Sequence, residues 1–440
     1  MDIIFHFVVY YDRNLAELFW VFFTMEYFFG LSLFFASIEE SKNGVEFLVK
    51  MVNYPKNCFG ASQALITAAE EGFDKVVELL LEKELILENH ADNYGRTPLI
   101  SAARKGHLKI VELLLDREAT EVNLAVIKGA TALTYAASNG HDKVVKLLLE
   151  KKDIDVNCTS SNNWTPILYA AFNGHDRVVK LLMEKEEIDV KCESANWTPL
   201  LIAACYGHDK VVKLLLEKEE IDVNYENADW TPLTYAAFNG HDKVVKLLLE
   251  KEDIDVNCVA DNSWTPLLFA AKGGHDNIVK LLLEKEDIDV NCTSKSGNTP
   301  LILASYYGYE KIIEILLEKE DILVNEYNSN GYTSLHTAAH QGHDKVAEIL
   351  LKETGIQVNA PELLQGNTPL HIAVDMEHHK VVKILLKKEG IAVNQENWAD
   401  VTPLSLAALK RNGNIVNFLL GTEEIRAIGW NGWRPNANAG

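Results

Sequence analysis

Positive charge is in short supply in this chain: 42 Lys and Arg residues stand against 64 Asp and Glu, a formal net charge of −22 over 440 residues. Such a balance repels phosphate backbones and anionic headgroups, which argues against nucleic acid and polybasic membrane docking. Catalytic signatures are missing as well. The sequence has no G-x-x-x-x-G-K-[ST] loop, no G-x-G-x-x-G, no H-E-x-x-H and no G-x-S-x-G. It therefore offers no catalytic residues, no cofactor site, no metal site and no small-molecule substrate site. Cysteine is sparse, with six in all, at 58, 158, 192, 205, 258 and 292.

What is present is repetition, with an opening Thr at Thr97, Thr131, Thr165, Thr198, Thr231, Thr265, Thr299, Thr333, Thr368 and Thr402, at intervals of 33 to 35 residues. One step back from Thr97, "ALITAAEEGFDKVVELLLEK" fits the same template, so eleven units are expected. The stretch Leu133–Cys158 returns as Leu233–Cys258 with only Ser138/Phe238 and Lys152/Glu252 changed. One segment was copied.

Within a unit, Thr followed by Pro starts a helix: the hydroxyl caps a free backbone N–H and Pro is tolerated at the first helical position. A short run such as "LTYAA" makes an inner helix whose alanines permit close stacking, and a Gly ends it. "HDKVVKLLLEK" then carries Val and Leu at helical spacing, with Asp near the helix start. "DVN" leads into a polar turn. The histidines of the Gly-His step, from His107 to His378, are expected to bond neighbouring turns. Four cysteines follow the same D-V-(N/K) step. Since stacked repeats lie roughly 10 Å apart and a disulfide spans at most about 7 Å between Cα atoms, they are read as small reduced fillers.

Helix, tight turn, helix and projecting turn at this period, with "TPL", "AA", "GH" and "VN" in fixed places, closely resemble the ankyrin repeat over residues 61–421. The resemblance implies an all-α fold: an ankyrin-repeat solenoid of about eleven helix-turn-helix repeats with projecting hairpin turns. Two 33-residue units shorten the hairpin, Lys191 to Thr198 and Asn224 to Thr231. The last units decay, with Glu377 at the Gly position of one and Arg411 and Asn412 replacing Gly-His in the other, as suits a capping repeat.

Residues 1–60 are read as an apolar N-terminal cap with a degenerate repeat from about residue 31. "LFWVFFTMEYFFGLSLFFASI" leaves a membrane anchor within 14–38 as the alternative, although Glu26 sits mid-span. Residues 422–440 are read as a flexible tail.

The resemblance also places partner-reading residues on a concave face, at the position before each Thr and at the pair after "AA". These are Arg96, Trp164, Phe172, Trp197, Tyr206, Trp230, Phe238, Trp264, Tyr306, Tyr307 and Tyr332. Four consecutive tryptophans form a ladder there, either to contact a partner or to stiffen neighbouring fingers. The function expected is a non-enzymatic cytoplasmic scaffold or adaptor for an unidentified protein partner. A membrane-tethered scaffold and the sensor fragment of a larger receptor or enzyme remain as alternatives.

Overall fold

The computed structural model describes residues 58–82 and 87–422, with side chains from Ser62 onward. The tail beyond 422 and, of the cap expected over 1–60, residues 1–57 with the anchor expected within 14–38 lie outside the described residues. Eleven helix pairs follow one another there, from Cys58–Glu71 with Asp74–Leu81 to Pro403–Leu409 with Gly413–Leu420. No strand occurs among the described residues, although isolated bridges such as Ser194–Trp197 and Asn227–Trp230 mark the hairpin fingers. Contacts divide the described chain into two compact units, one comprising 58–203 with 210–221, the other 204–209 with 222–422.

Local chemistry explains each pair. Thr97 is extended, its hydroxyl accepts a hydrogen bond from the Ile100 N–H at 3.3 Å, and Pro98 opens the inner helix Pro98–Lys105. That helix ends at Gly106, whose φ of 80° is left-handed. Glycine is needed there twice, because a Cβ would also lie 2.6 Å from Nδ1 of His141. The His141 ring closes against the preceding repeat, with Nε2 3.1 Å from the Arg104 carbonyl. A carbonyl only accepts, so Nε2 carries the proton. The same bond recurs from His175 to Ser138, from His241 to Cys205 and from His343 to Tyr306.

In the first unit the core consists of fully buried Ile110, Leu114, Leu133, Leu148, Ile167 and Leu182, interleaved with Ala102, Ala103, Ala136 and Ala137. In the second, Leu233, Leu248, Leu267, Leu282, Leu316 and Leu335 repeat the arrangement. Small inner residues let adjacent helices approach, and burying each Leu contributes about 1.5–3 kcal/mol.

Asparagines of the "VN" step form a second tie. In the first unit, Asn157 donates to the Glu187 carbonyl at 2.7 Å and accepts from the Asp189 N–H at 3.0 Å, bridging to the next repeat. In the second, Asn257 does the same with Asp287 and Asp289. At Lys191 the position holds an ammonium group, which has no acceptor atom.

The short fingers turn on two consecutive left-handed residues, Ala195-Asn196 and Ala228-Asp229. Positive φ at both central positions is the two-residue hairpin geometry that matches strand twist, and the bridges Ser194–Trp197 and Asn227–Trp230 close over two residues where Ala260–Trp264 closes over three, which accounts for the 33-residue spacing. At the decayed end, Glu377 and Arg411 keep the left-handed conformation that Gly holds elsewhere (φ 59° and 58°), at a local cost of about 1–2 kcal/mol each. Asn412 replaces the turn histidine and caps Ile415 instead.

Candidate functional site

Within each unit the inner helices and fingers present one face, and the sequence-predicted residues divide on it by burial. Trp164, Trp197, Trp230 and Trp264 are all half-buried. In the first unit Trp164 rests on Tyr169, ring centroids 5.0 Å apart, and meets the edge of Phe172 at 5.4 Å. In the second, Trp230 touches Tyr235 at 4.9 Å, Phe238 at 5.5 Å and Phe269 at 4.7 Å. Trp264 packs on Phe269 at 5.1 Å, and the Lys272 ammonium sits 4.9 Å over its ring. Trp164, Trp230 and Trp264 thus brace their fingers against the inner helices while remaining partly exposed.

The most open aromatic surface comes from the inner-helix ends. Tyr206, Phe238, Tyr306 and Tyr307 are exposed in the second unit, at 41–50% of their surface, and Phe172 is exposed in the first. Tyr306 and Tyr307 meet edge to face at 5.0 Å. Such pairs hold rigid rings at low entropic cost, the composition favoured in protein interfaces.

Arg96 and Tyr332 behave differently. Arg96 donates through Nε to Asp92 at 2.7 Å, approaches Glu70 at 3.4 Å and lies over Tyr94. Burial pushes the Asp92 carboxyl upward, but hydrogen bonds from Arg96 and the Tyr94 N–H outweigh it and hold it below the usual range. The guanidinium is committed within its own repeat. Tyr332 stacks on His336 and is half-buried.

Two features of the fingers were not foreseen from the sequence. Each D-V-(N/K)-C thiol reaches the capping hydroxyl of an inner helix: Cys158 to Thr131, Cys192 to Thr165, Cys258 to Thr231, and Cys292 to Thr265, at 3.1–3.2 Å. Burial raises these thiols, Cys258 and Cys292 to about 12, so they stay protonated and unreactive at neutral pH. Cys158, Cys192, Cys205, Cys258 and Cys292 are free thiols. The second feature is at the finger tips, where Leu363, Leu364 and Trp398 are 56%, 69% and 62% exposed. Four residues before the opening Thr, Leu364 and Trp398 stand where Lys295 and Ser329 stand in earlier fingers. Aligning the tips would have revealed them.

Among the described residues, no cluster of His, Cys, Asp and Glu is arranged to hold a metal ion, and no helix is long and apolar enough to cross a membrane. Helix pairs at a fixed period, joined by hairpin fingers, define a helical repeat protein, a class whose working surface is spread along the array. The family model for ankyrin repeats (three copies) matches residues 33–126, 118–194, 186–260, 252–326, 288–362 and 358–428. The chain belongs to the ankyrin repeat family, whose members generally mediate protein–protein interaction and are typically not enzymes. Against curated proteins the chain finds no match.

Proposed function

We propose that the chain is a non-enzymatic cytoplasmic scaffold or adaptor that binds a protein partner on the face made by its inner helices and fingers. The observation that carries this reading is the row of exposed rings Phe238, Tyr306 and Tyr307 in the second unit. Large rigid side chains left in water on a repeat surface supply binding energy when a partner covers them. The tryptophans contribute as a shelf beneath: Trp230 orients Phe238 edge-on at 89°. In the first unit Trp164 supports Phe172 in the same way, at 73°.

The test is affinity capture with mass spectrometry, comparing the full chain with a Phe238→Ser, Tyr306→Ser, Tyr307→Ser variant whose helicity matches by circular dichroism. Loss of a reproducible partner is the expected result. Because these rings are exposed, their replacement leaves the core intact, which the half-buried tryptophans would not. Partners that persist unchanged would refute the assignment of this face.

A further inference from the structure

The tips of the last two fingers form a second surface, with a chemistry of its own. Leu363 and Leu364 project from one tip and Trp398 from the next, and the two tips are joined by a hydrogen bond from the Trp398 N–H to the Gln365 carbonyl at 2.9 Å. The indole lies against Gly366, where a Cβ would come within 2.5 Å of Cδ1. The loop is held open by Glu362, buried to 2% exposure, whose carboxylate accepts from the backbone N–H groups of Leu364, Gln365 (2.6 Å) and Asn367 (3.3 Å). The apolar pair is therefore preorganised in its exposed position, which lowers the entropic cost of covering it.

Charge narrows the occupant. From Glu353 to His379, and again from Glu389 to Leu409, the chain contains no Lys or Arg, while it carries Glu353, Glu362, Asp375, Glu377, Glu389, Glu396 and Asp400. Lys410 neutralises Asp375 at 2.8 Å. Glu396 and Asp400 flank Trp398 on its own finger, are exposed, and form no ion pair among the described residues. An apolar tip with uncompensated carboxylates beside it favours apolar side chains accompanied by cations and repels acidic segments.

We propose that these two finger tips bind a peptide segment of the partner that combines apolar side chains with lysine or arginine. The inference rests on the protein-binding reading but places contact on a surface separate from Phe238, Tyr306 and Tyr307. It assigns Leu363, Leu364 and Trp398 the apolar contacts, and Glu396 and Asp400 the selection for positive charge.

A random peptide library displayed on phage, selected on the full chain, tests it. Enriched peptides are then synthesised with a fluorescent label and titrated by anisotropy. Two variants serve as comparisons, Leu363→Ser/Leu364→Ser/Trp398→Ser and Glu396→Gln/Asp400→Asn, each checked by circular dichroism. The expected peptides carry Lys or Arg among apolar residues, lose on the order of tenfold or more in affinity on the first variant, and lose much of their salt dependence on the second. Enrichment of acidic peptides, or of peptides that bind the first variant as well as the native chain, overturns the proposal. So does a self-association by sedimentation equilibrium that the first variant abolishes, since a second copy would then be the occupant. Peptides lost only on Phe238→Ser/Tyr306→Ser/Tyr307→Ser refute the tips while upholding the aromatic face. Absence of any enriched peptide, together with absence of any captured partner, refutes both.

Discussion

The two units are built from the same ties and differ in what they expose. In the first, the open apolar residues near the finger ends, Tyr94 and Ile127, line a cleft of about 380 Å³ together with Arg96 and Lys128. In the second, Leu363, Leu364 and Trp398 have carboxylates for neighbours. The scaffold beneath them is indifferent to this change, since caps, turn histidines and asparagine bridges recur in both. A repeat fold separates stability from recognition: buried positions are copied, and the tips are free to diverge.

The sharpest check on that separation is a pair of equal core deletions. Leu114→Ala in the first unit and Leu316→Ala in the second, both fully buried, should each cost about 2–5 kcal/mol in urea unfolding followed by circular dichroism. A cost in one unit without the other would break the equivalence. By contrast, serine at Leu363, Leu364 and Trp398 should shift the midpoint by less than about 0.5 kcal/mol.

Acid should then tell the units apart. His336 and His371 are buried in the second unit, each donating from Nε2 to a carbonyl, of Asn367 and Val401, while Nδ1 accepts from the backbone N–H of Thr333 and Thr368. The corresponding residues of the first unit include Ile100, Thr134 and Leu168. Burial pulls His336 down from 6.5 to about 4, and lowers His371. Between those values the unfolded chain binds the proton that the folded chain refuses, so stability is complete above pH 6.5 and falls as pH drops toward 4. Thermal melts across that range should show the loss, and His336→Leu should flatten it. An unchanged pH profile would remove this distinction between the units.

Smaller effects test the asparagine bridges. Asn257→Ala removes one donor and one acceptor between repeats and should cost about 1–2 kcal/mol. Asn157→Ala does the same in the first unit and should cost a similar amount. Both are read from urea midpoints, and a neutral Asn157→Ala would mean that neighbouring contacts already compensate.

Most of the fold was legible because its determinants lie within one repeat. Thr97 caps Ile100 three residues away, and the period of Val and Leu reports the buried stripe directly. Outward exposure at the inner-helix ends was legible as well: Phe238 and Tyr306 stand in water, where the pair after "AA" was expected to face. The bracing role of Trp230 against Phe269 was not, since it depends on a ring from the following repeat. Nor were the asparagine partners, which are backbone atoms of Glu187, Asp287 and Gly355. A carbonyl of any residue serves equally, so the receiving side leaves no mark in the sequence. The thiol contacts were hidden for another reason: Cys258 and Thr231 are both recurrent residues of the unit, and recurrence alone does not say that they touch.

The asparagine bridges also have a spectroscopic consequence. Amides at Asp155, Asp189, Asp255, Asp289 and Gln357 lie in loops open to water, yet each N–H is donated to an asparagine one repeat earlier. Their exchange with deuterium is governed by the docking of two adjacent repeats rather than by helix fraying. Each such amide is a built-in clock for one junction, and reading the set in order along the chain would give the opening frequency of the array, joint by joint.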